Sequence, residues 1–282
     1  MYLDFLKLMI CCSLILLASM FFSGCAIVPH AANGRSPQGK GYEELSAADQ
    51  ALADTLIKKV LDNEGLFTVI GRLKPISSAG DIRFSVRDTL TSDRQKLLQY
   101  QRVLNTLQFG DLAFVMTPFR LHEDGERLLQ INVYRQSLVD SMVRANAPFY
   151  REMGYVAGAD ARLLINTTEY ENKLIRFRSY GNLFGYPPRA VNFFVEAEQS
   201  KEKTGDFVAR DFYQIPVHSN QKGRFVYALP KGSQPSARDE QIKARAAYWL
   251  SRYQLYRKKY EKSDQRLDAY RLLKHLLREV EK

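Results

Sequence analysis

The chain has 282 residues, 45% of them apolar and 26% charged, a balance that excludes a disordered or fibrous protein. Its net charge of +10 suits contact with anionic surfaces and polymers without choosing among them. The only cysteines are Cys11, Cys12 and Cys25, which excludes disulfides, cysteine metal sites and thiol nucleophiles beyond residue 25.

Residues 1–7 carry Lys7 balanced by Asp4, and residues 8–23 form an apolar run without charge. That run is short of the ~20 residues a helix needs to cross a bilayer, and it matches the core of an export signal. An uncleaved membrane helix is the alternative. The run closes on Phe22-Ser23-Gly24-Cys25. This stretch resembles the bacterial lipobox, in which two small residues precede an obligatory cysteine; Phe22 stands where the motif prefers leucine. The resemblance implies cleavage between Gly24 and Cys25 and a lipid on the Cys25 thiol. Each CH₂ of that lipid would contribute ~0.8 kcal/mol to membrane anchoring. Ala26, not aspartate, follows the cysteine. By resemblance to the enteric sorting rule this implies a bacterial envelope lipoprotein of the outer membrane, facing the periplasm. The resemblance covers the export segment alone.

Residues 29–44 are rich in Pro, Gly, Ser and Asn and read as a flexible tether. The expected organisation is a signal peptide over 1–24, a tether over 25–44, an α+β domain over 45–235 and a basic, aromatic helical segment over 236–282, packed on the domain. Ser46 caps a helix carrying Ala48, Leu52, Leu56 and Val60 at helical spacing, ended near Gly65. Residues 66–71 and 82–86 are short, β-branched or aromatic, and bounded by Gly and Pro, so strands are expected. Ser92 caps a second helix stopped by Gly110. Residues 112–119 and 127–134 flank Asp124-Gly125 as the clearest hairpin in the chain. Ser137 opens a third helix, residues 167–180 read as a fourth, and Pro187-Pro188 begins another that runs to about Ser200. Residues 206–217 and 223–229 form a second hairpin. The whole predicts an α+β fold: an antiparallel sheet built from hairpins, packed with several helices and closed by a long C-terminal helix or helix pair.

In that last segment Ile242, Ala246, Trp249, Tyr253, Tyr256, Tyr260, Leu267, Tyr270, Leu273, Leu277 and Val280 recur at three- and four-residue steps. Cations outnumber acids between them. Such a stripe is either core with a solvated charged back or a surface for anionic lipid or polymer. Ser263-Asp264 offers a cap for a restart, which favours two helices over one rod. Residues 181–194 set Gly181 and Gly185 ahead of a helix start, where free N–H groups can cradle an anion; close helix packing and a C-cap explain the same glycines. If the domain has a ligand pocket, Tyr186 and Arg189 are its expected residues.

Catalytic signatures are absent from the sequence. His30, His122, His218 and His275 fit no metal spacing, so no metal or cofactor is expected, and no Gly-x-Ser-x-Gly elbow occurs. Glu169, Glu171, Glu196, Glu198, Asp206 and Asp211 surround the central helices and could supply paired carboxylates. The favoured function is therefore a lipid-anchored binding or scaffolding protein. Its expected partners are the membrane and an anionic envelope polymer or head group, not nucleic acid. The alternative is a periplasmic hydrolase of an envelope polymer.

Overall fold

The structure, a computed structural model, describes residues 41–86, 91–123, 125–262 and 266–280, all within one compact unit spanning 35–282. Gly24 and Cys25, with the rest of the export segment, lie outside the described residues. The fold is mixed α+β. Helices α1 (Ala47–Asp62) and α2 (Leu66–Val69) lead into β1 (Ile76–Ser85), and α3 (Thr91–Thr106) leads into the hairpin of β2 (Leu112–Glu123) and β3 (Glu126–Arg135). Five helices follow: α4 (Gln136–Ala145), α5 (Ala147–Glu152), α6 (Ala161–Tyr170), α7 (Lys173–Leu183) and α8 (Pro188–Thr204). A second hairpin, β4 (Arg210–Val217) and β5 (Asn220–Pro230), precedes α9 (Ala237–Arg257), a 3₁₀ turn (Lys258–Tyr260) and α10 (Ala269–Val280).

Two antiparallel sheets result, one of order β1-β3-β2 and one of order β4-β5. Because strand side chains alternate, β3 feeds two cores. Leu129, Ile131 and Val133 enter a large core with α1, α3, the second sheet, α9 and α10. Tyr134 on the opposite face joins Val115 and Ile76 in a smaller core with α4, α5, α6 and the end of α7. Gln130 and Asn132 share Tyr134's face by the same alternation, so polar groups enter that side of the sheet.

Three expectations change. Residues 66–70 are one helical turn, not a strand. Leu66, Phe67, Thr68, Val69 and Ile70 are all buried, and a segment buried on every side carries no period that separates strand from helix. The region expected as one helix over 167–180 is broken at Glu171-Asn172, where the Asn172 side chain accepts the Ile175 N–H and starts α7 afresh. Tyr42, which the sequence assigns to the tether, lies stacked on Tyr270 with centroids 3.6 Å apart, and its hydroxyl donates to Asp54. The chain is therefore docked on the domain from that residue onward.

The C-terminal segment is a helix pair. Ile242, Ala246, Tyr253, Tyr256, Leu267, Tyr270, Leu273 and Leu277 are buried in the large core, and Trp249, Tyr260 and Val280 pack against it. Lys243 and Arg245 face solvent. The apolar face is thus covered by the domain itself. Helix α10 starts at Ala269, and Ser263-Asp264 lie outside the described residues. Asp62 pins α9 to α1: it accepts from Tyr253 Oη (2.6 Å), Arg257 Nε (3.1 Å) and Lys58 Nζ (2.8 Å).

Candidate functional site

The helical hairpin α7–α8 builds one side of an apolar cavity. Gly181 lets the two helices approach: a Cβ there would stand 2.9 Å from a Val191 methyl. Gly185 then reverses the chain at φ +72°, a left-handed conformation that favours glycine. A Cβ at Gly185 would meet the Leu73 carbonyl oxygen at 2.3 Å. Gly185→Ala is accordingly expected to lower stability by about 2–4 kcal/mol through left-handed strain and backbone displacement, read as a drop in urea midpoint. Pro187 and Pro188 fix the entry into α8.

Between α7, α8 and β5 lies a cavity of about 350 Å³ walled by Phe177, Tyr180, Phe184, Tyr186, Phe194 and Tyr227. Phe177 and Phe194 meet edge to face at 5.3 Å, and Tyr186 stacks on Phe225 and tilts against Tyr227. Phe212, 58% exposed, stands in the lining as well. The mouth is therefore apolar and open to solvent.

The rings Phe177, Tyr180 and Phe184 also line a second compartment of about 260 Å³, of mixed character, in which Phe119 is joined by the polar groups of Arg120, Gln130, Glu169 and Arg176. Glu169 is 1% exposed. One of its oxygens accepts the Tyr180 hydroxyl at 2.6 Å and the other the Arg120 N–H at 3.0 Å. Burial, and then the hydrogen bond to Glu169, push the Tyr180 hydroxyl far above the ordinary tyrosine range, so it remains a donor at neutral pH. Arg120 and Arg176 both donate to the Glu171 carbonyl, at 3.2 and 3.3 Å. Behind Gln130, whose side-chain oxygen accepts from Asn132 at 3.4 Å, the Asn132 Oδ1 and Thr117 Oγ1 atoms are buried without a hydrogen-bond partner among the described residues.

Under the aromatic wall sits Lys74, wholly buried. Its Nζ lies 2.7 Å from Glu64 and 4.4, 5.1 and 5.7 Å from the ring centroids of Phe225, Phe184 and Tyr186. Burial pulls the Lys74 pKa below its ordinary value, and the Glu64 charge and hydrogen bond oppose that pull. Burial, reinforced by Glu64, raises Tyr186 well above the tyrosine range.

The structure separates the two residues expected at a pocket. Tyr186 lines the apolar cavity. Arg189 is not in that lining; it donates to the Gln234 carbonyl at 3.1 Å and to Asp239 at 3.4 Å. The six acids do not converge either. Glu198 pairs with Lys173 and Arg210, Asp211 pairs with Lys231, and Glu169 alone of them enters the second compartment. Asp54, Asp268 and Glu43 share a different cleft, of about 550 Å³. There Asp54 accepts the Tyr270 N–H (2.9 Å) and Asp268 the Arg271 N–H (3.3 Å), so both hold the first turn of α10. His218 approaches Asp62 at 3.8 Å, and His275 packs against Tyr256 and Tyr260. Side chains do not gather into a metal-type cluster among the described residues, and no helix among them is long and apolar enough to cross a membrane.

Local sequence reasoning passed over Lys74, Glu64, Arg120 and Arg176. Each sits singly in its own segment: Lys74 and Glu64 meet under Phe184, Tyr186 and Phe225, and Arg120 and Arg176 meet at the second compartment. Searches against protein-family models, curated proteins and solved structures return no match for this chain.

Proposed function

We propose that the chain is a lipid-anchored protein of the bacterial envelope whose domain binds a small, largely apolar ligand between α7, α8 and β5. The observation that carries the reading is the aromatic-walled cavity of about 350 Å³ with an exposed phenylalanine at its mouth. Apolar concavities of this size with a few convergent polar groups are the usual form of ligand sites. The lipobox-like Phe22–Cys25 stretch supports the anchor on Cys25 and, with Ala26, an address on the periplasmic face of the outer membrane. Binding is favoured over hydrolysis because the acids that share a cleft, Asp54 and Asp268, are engaged in starting α10.

Two measurements test the reading. In cells, palmitate incorporation is expected in the full chain and is expected to vanish in Cys25→Ala; incorporation that survives the substitution refutes the anchor. A neutral photoreactive alkyl alcohol, applied to membranes carrying the full chain, is expected to label peptides from 173–204 and 220–230. Val226→Trp, which fills the cavity from its partly exposed rim, is expected to remove that label. Labelling that ignores Val226→Trp, or never reaches these peptides, overturns the binding reading.

A further inference from the structure

We infer that the two adjoining compartments form one site for a single-chain amphiphile with an anionic head group. This rests on the binding reading above and names the class of ligand. The alkyl chain lies in the aromatic cavity, and the head lies on Arg120 and Arg176.

Phe177, Tyr180 and Phe184 border both spaces, so an apolar volume lies against one that adds Arg120, Gln130, Glu169 and Arg176 to its aromatic wall. A molecule that fills both must be apolar at one end and polar at the other. The charges of the polar end then select the sign of the head. Arg120 and Arg176 converge on one point, the Glu171 carbonyl. Neither has a carboxylate within ion-pair distance among the described residues, although Arg120 is exposed and Arg176 half-buried, whereas the more deeply set Arg135, Arg210 and Arg257 are each paired with an acid. A carbonyl takes one N–H from each guanidinium and leaves the others for an acceptor.

Gln130 adds a donor. Its side-chain oxygen already accepts from Asn132, which leaves its NH₂ group for the cavity. Glu169 is the one acid in the lining, and its two oxygens are held by the Tyr180 hydroxyl and the Arg120 backbone. It therefore positions the Tyr180 ring and the Arg120 segment, and the cavity as a whole is richer in donors than in acceptors. Planar guanidinium pairs are the usual partners of carboxylate and phosphate oxygens. The exposed Phe212 at the mouth of the apolar end gives a chain a route of entry.

The test uses the full chain in its membranes and the neutral alkyl alcohol probe as the reporter. Competitors share one alkyl chain and differ only in the head: carboxylate, phosphate or trimethylammonium. Carboxylate and phosphate heads are expected to compete roughly ten-fold or better than trimethylammonium, the worth of one or two hydrogen bonds to a charged group. In Arg120→Gln/Arg176→Gln that advantage is expected to disappear while labelling by the neutral probe persists, which shows the cavity intact. Equal competition by all three heads on the unaltered chain overturns the inference and leaves the binding reading standing, and this arm needs no variant to fold. An anionic advantage that persists undiminished in the double variant also overturns it, because the head then sits elsewhere. Absence of neutral labelling in the unaltered chain overturns both.

Discussion

Glu64→Gln is expected to lower the unfolding free energy by about 3–5 kcal/mol, the usual consequence of leaving one member of a buried ion pair alone. Lys74 has no access to water, while the Glu64 side chain keeps 16% of its surface exposed. Removing the acid therefore strands a cation with no other acid in ion-pair contact among the described residues, and the three surrounding rings supply only part of the lost attraction. Lys74→Met is expected to cost less than Glu64→Gln, because the remaining carboxylate can turn toward solvent. The double variant Glu64→Gln/Lys74→Met is expected to recover most of the loss, since the space then holds no charge. The sign of the pH dependence follows from the direction of the shift. Burial depresses the folded-state pKa of Lys74 below its unfolded value. Between those two values the unfolded state binds the proton better, so stability rises with pH across that window. Glu64→Gln removes the opposing contribution, extends the window downward and should steepen the rise just below the folded-state pKa that Lys74 has beside Glu64. Urea unfolding at a series of pH values measures both effects. A Glu64→Gln variant within about 1 kcal/mol of the unaltered chain, with an unchanged pH slope, would show that the pair does not govern this wall.

Such a pair leaves no local mark in the sequence. The α+β class, the first hairpin and the helix pair were legible because their signals are local. Asp124-Gly125 stands between two alternating runs, and the stripe from Ile242 to Val280 repeats at helical steps. Ser236 even forms a capping box with Asp239. Lys74, by contrast, sits in Arg72-Leu73-Lys74-Pro75, a segment with the look of a solvated loop. Its burial comes from Gly185 crossing over its backbone and from Phe225 of the second hairpin, residues more than a hundred positions away. The turn at 66–70 was misread for the opposite reason. Its residues are apolar but for Thr68, which is itself buried against Ser77, and a wholly buried segment has no polar face to reveal its period. The candidate site divides in the same manner. Tyr186 was legible from the glycine and proline punctuation around it. Arg120 and Arg176 were not, since one lies on a strand and the other on a helix and neither carries a motif.

Asp239→Ala is expected to cost about 3–4 kcal/mol, combining a lost helix cap with a lost charged acceptor for buried donors. Asp239 is 0% exposed and joins three parts of the fold. It accepts the backbone N–H (2.6 Å) and hydroxyl (2.7 Å) of Ser236, the hydroxyl of Tyr227 on β5 (2.8 Å) and the guanidinium of Arg189 on α8 (3.4 Å). Burial alone would raise its pKa, but the Ser236 and Tyr227 hydrogen bonds and the Arg189 charge outweigh it and hold the carboxyl below the usual range. A depressed folded-state pKa contributes stability above the unfolded value of about 3.9 that is lost as pH falls through the folded one. The acid limb of the stability profile should therefore be shallower in Asp239→Asn than in the unaltered chain. Tyr227→Phe removes one of these donors and is expected to cost about 1.5–3 kcal/mol, in keeping with a single charge-assisted bond. Because Tyr227 walls the apolar cavity and Arg189 belongs to the helix beside it, Asp239 is also the point at which the C-terminal helix pair fixes one wall of that cavity. Asp239→Ala should accordingly weaken photolabelling of 173–204 under conditions in which the protein is still folded by circular dichroism. Asp62→Asn, which loosens α9 at its other end, should leave that labelling unchanged. Equal effects of the two substitutions on labelling would mean that stability alone, and not the Asp239–Tyr227 contact, sets the shape of the cavity.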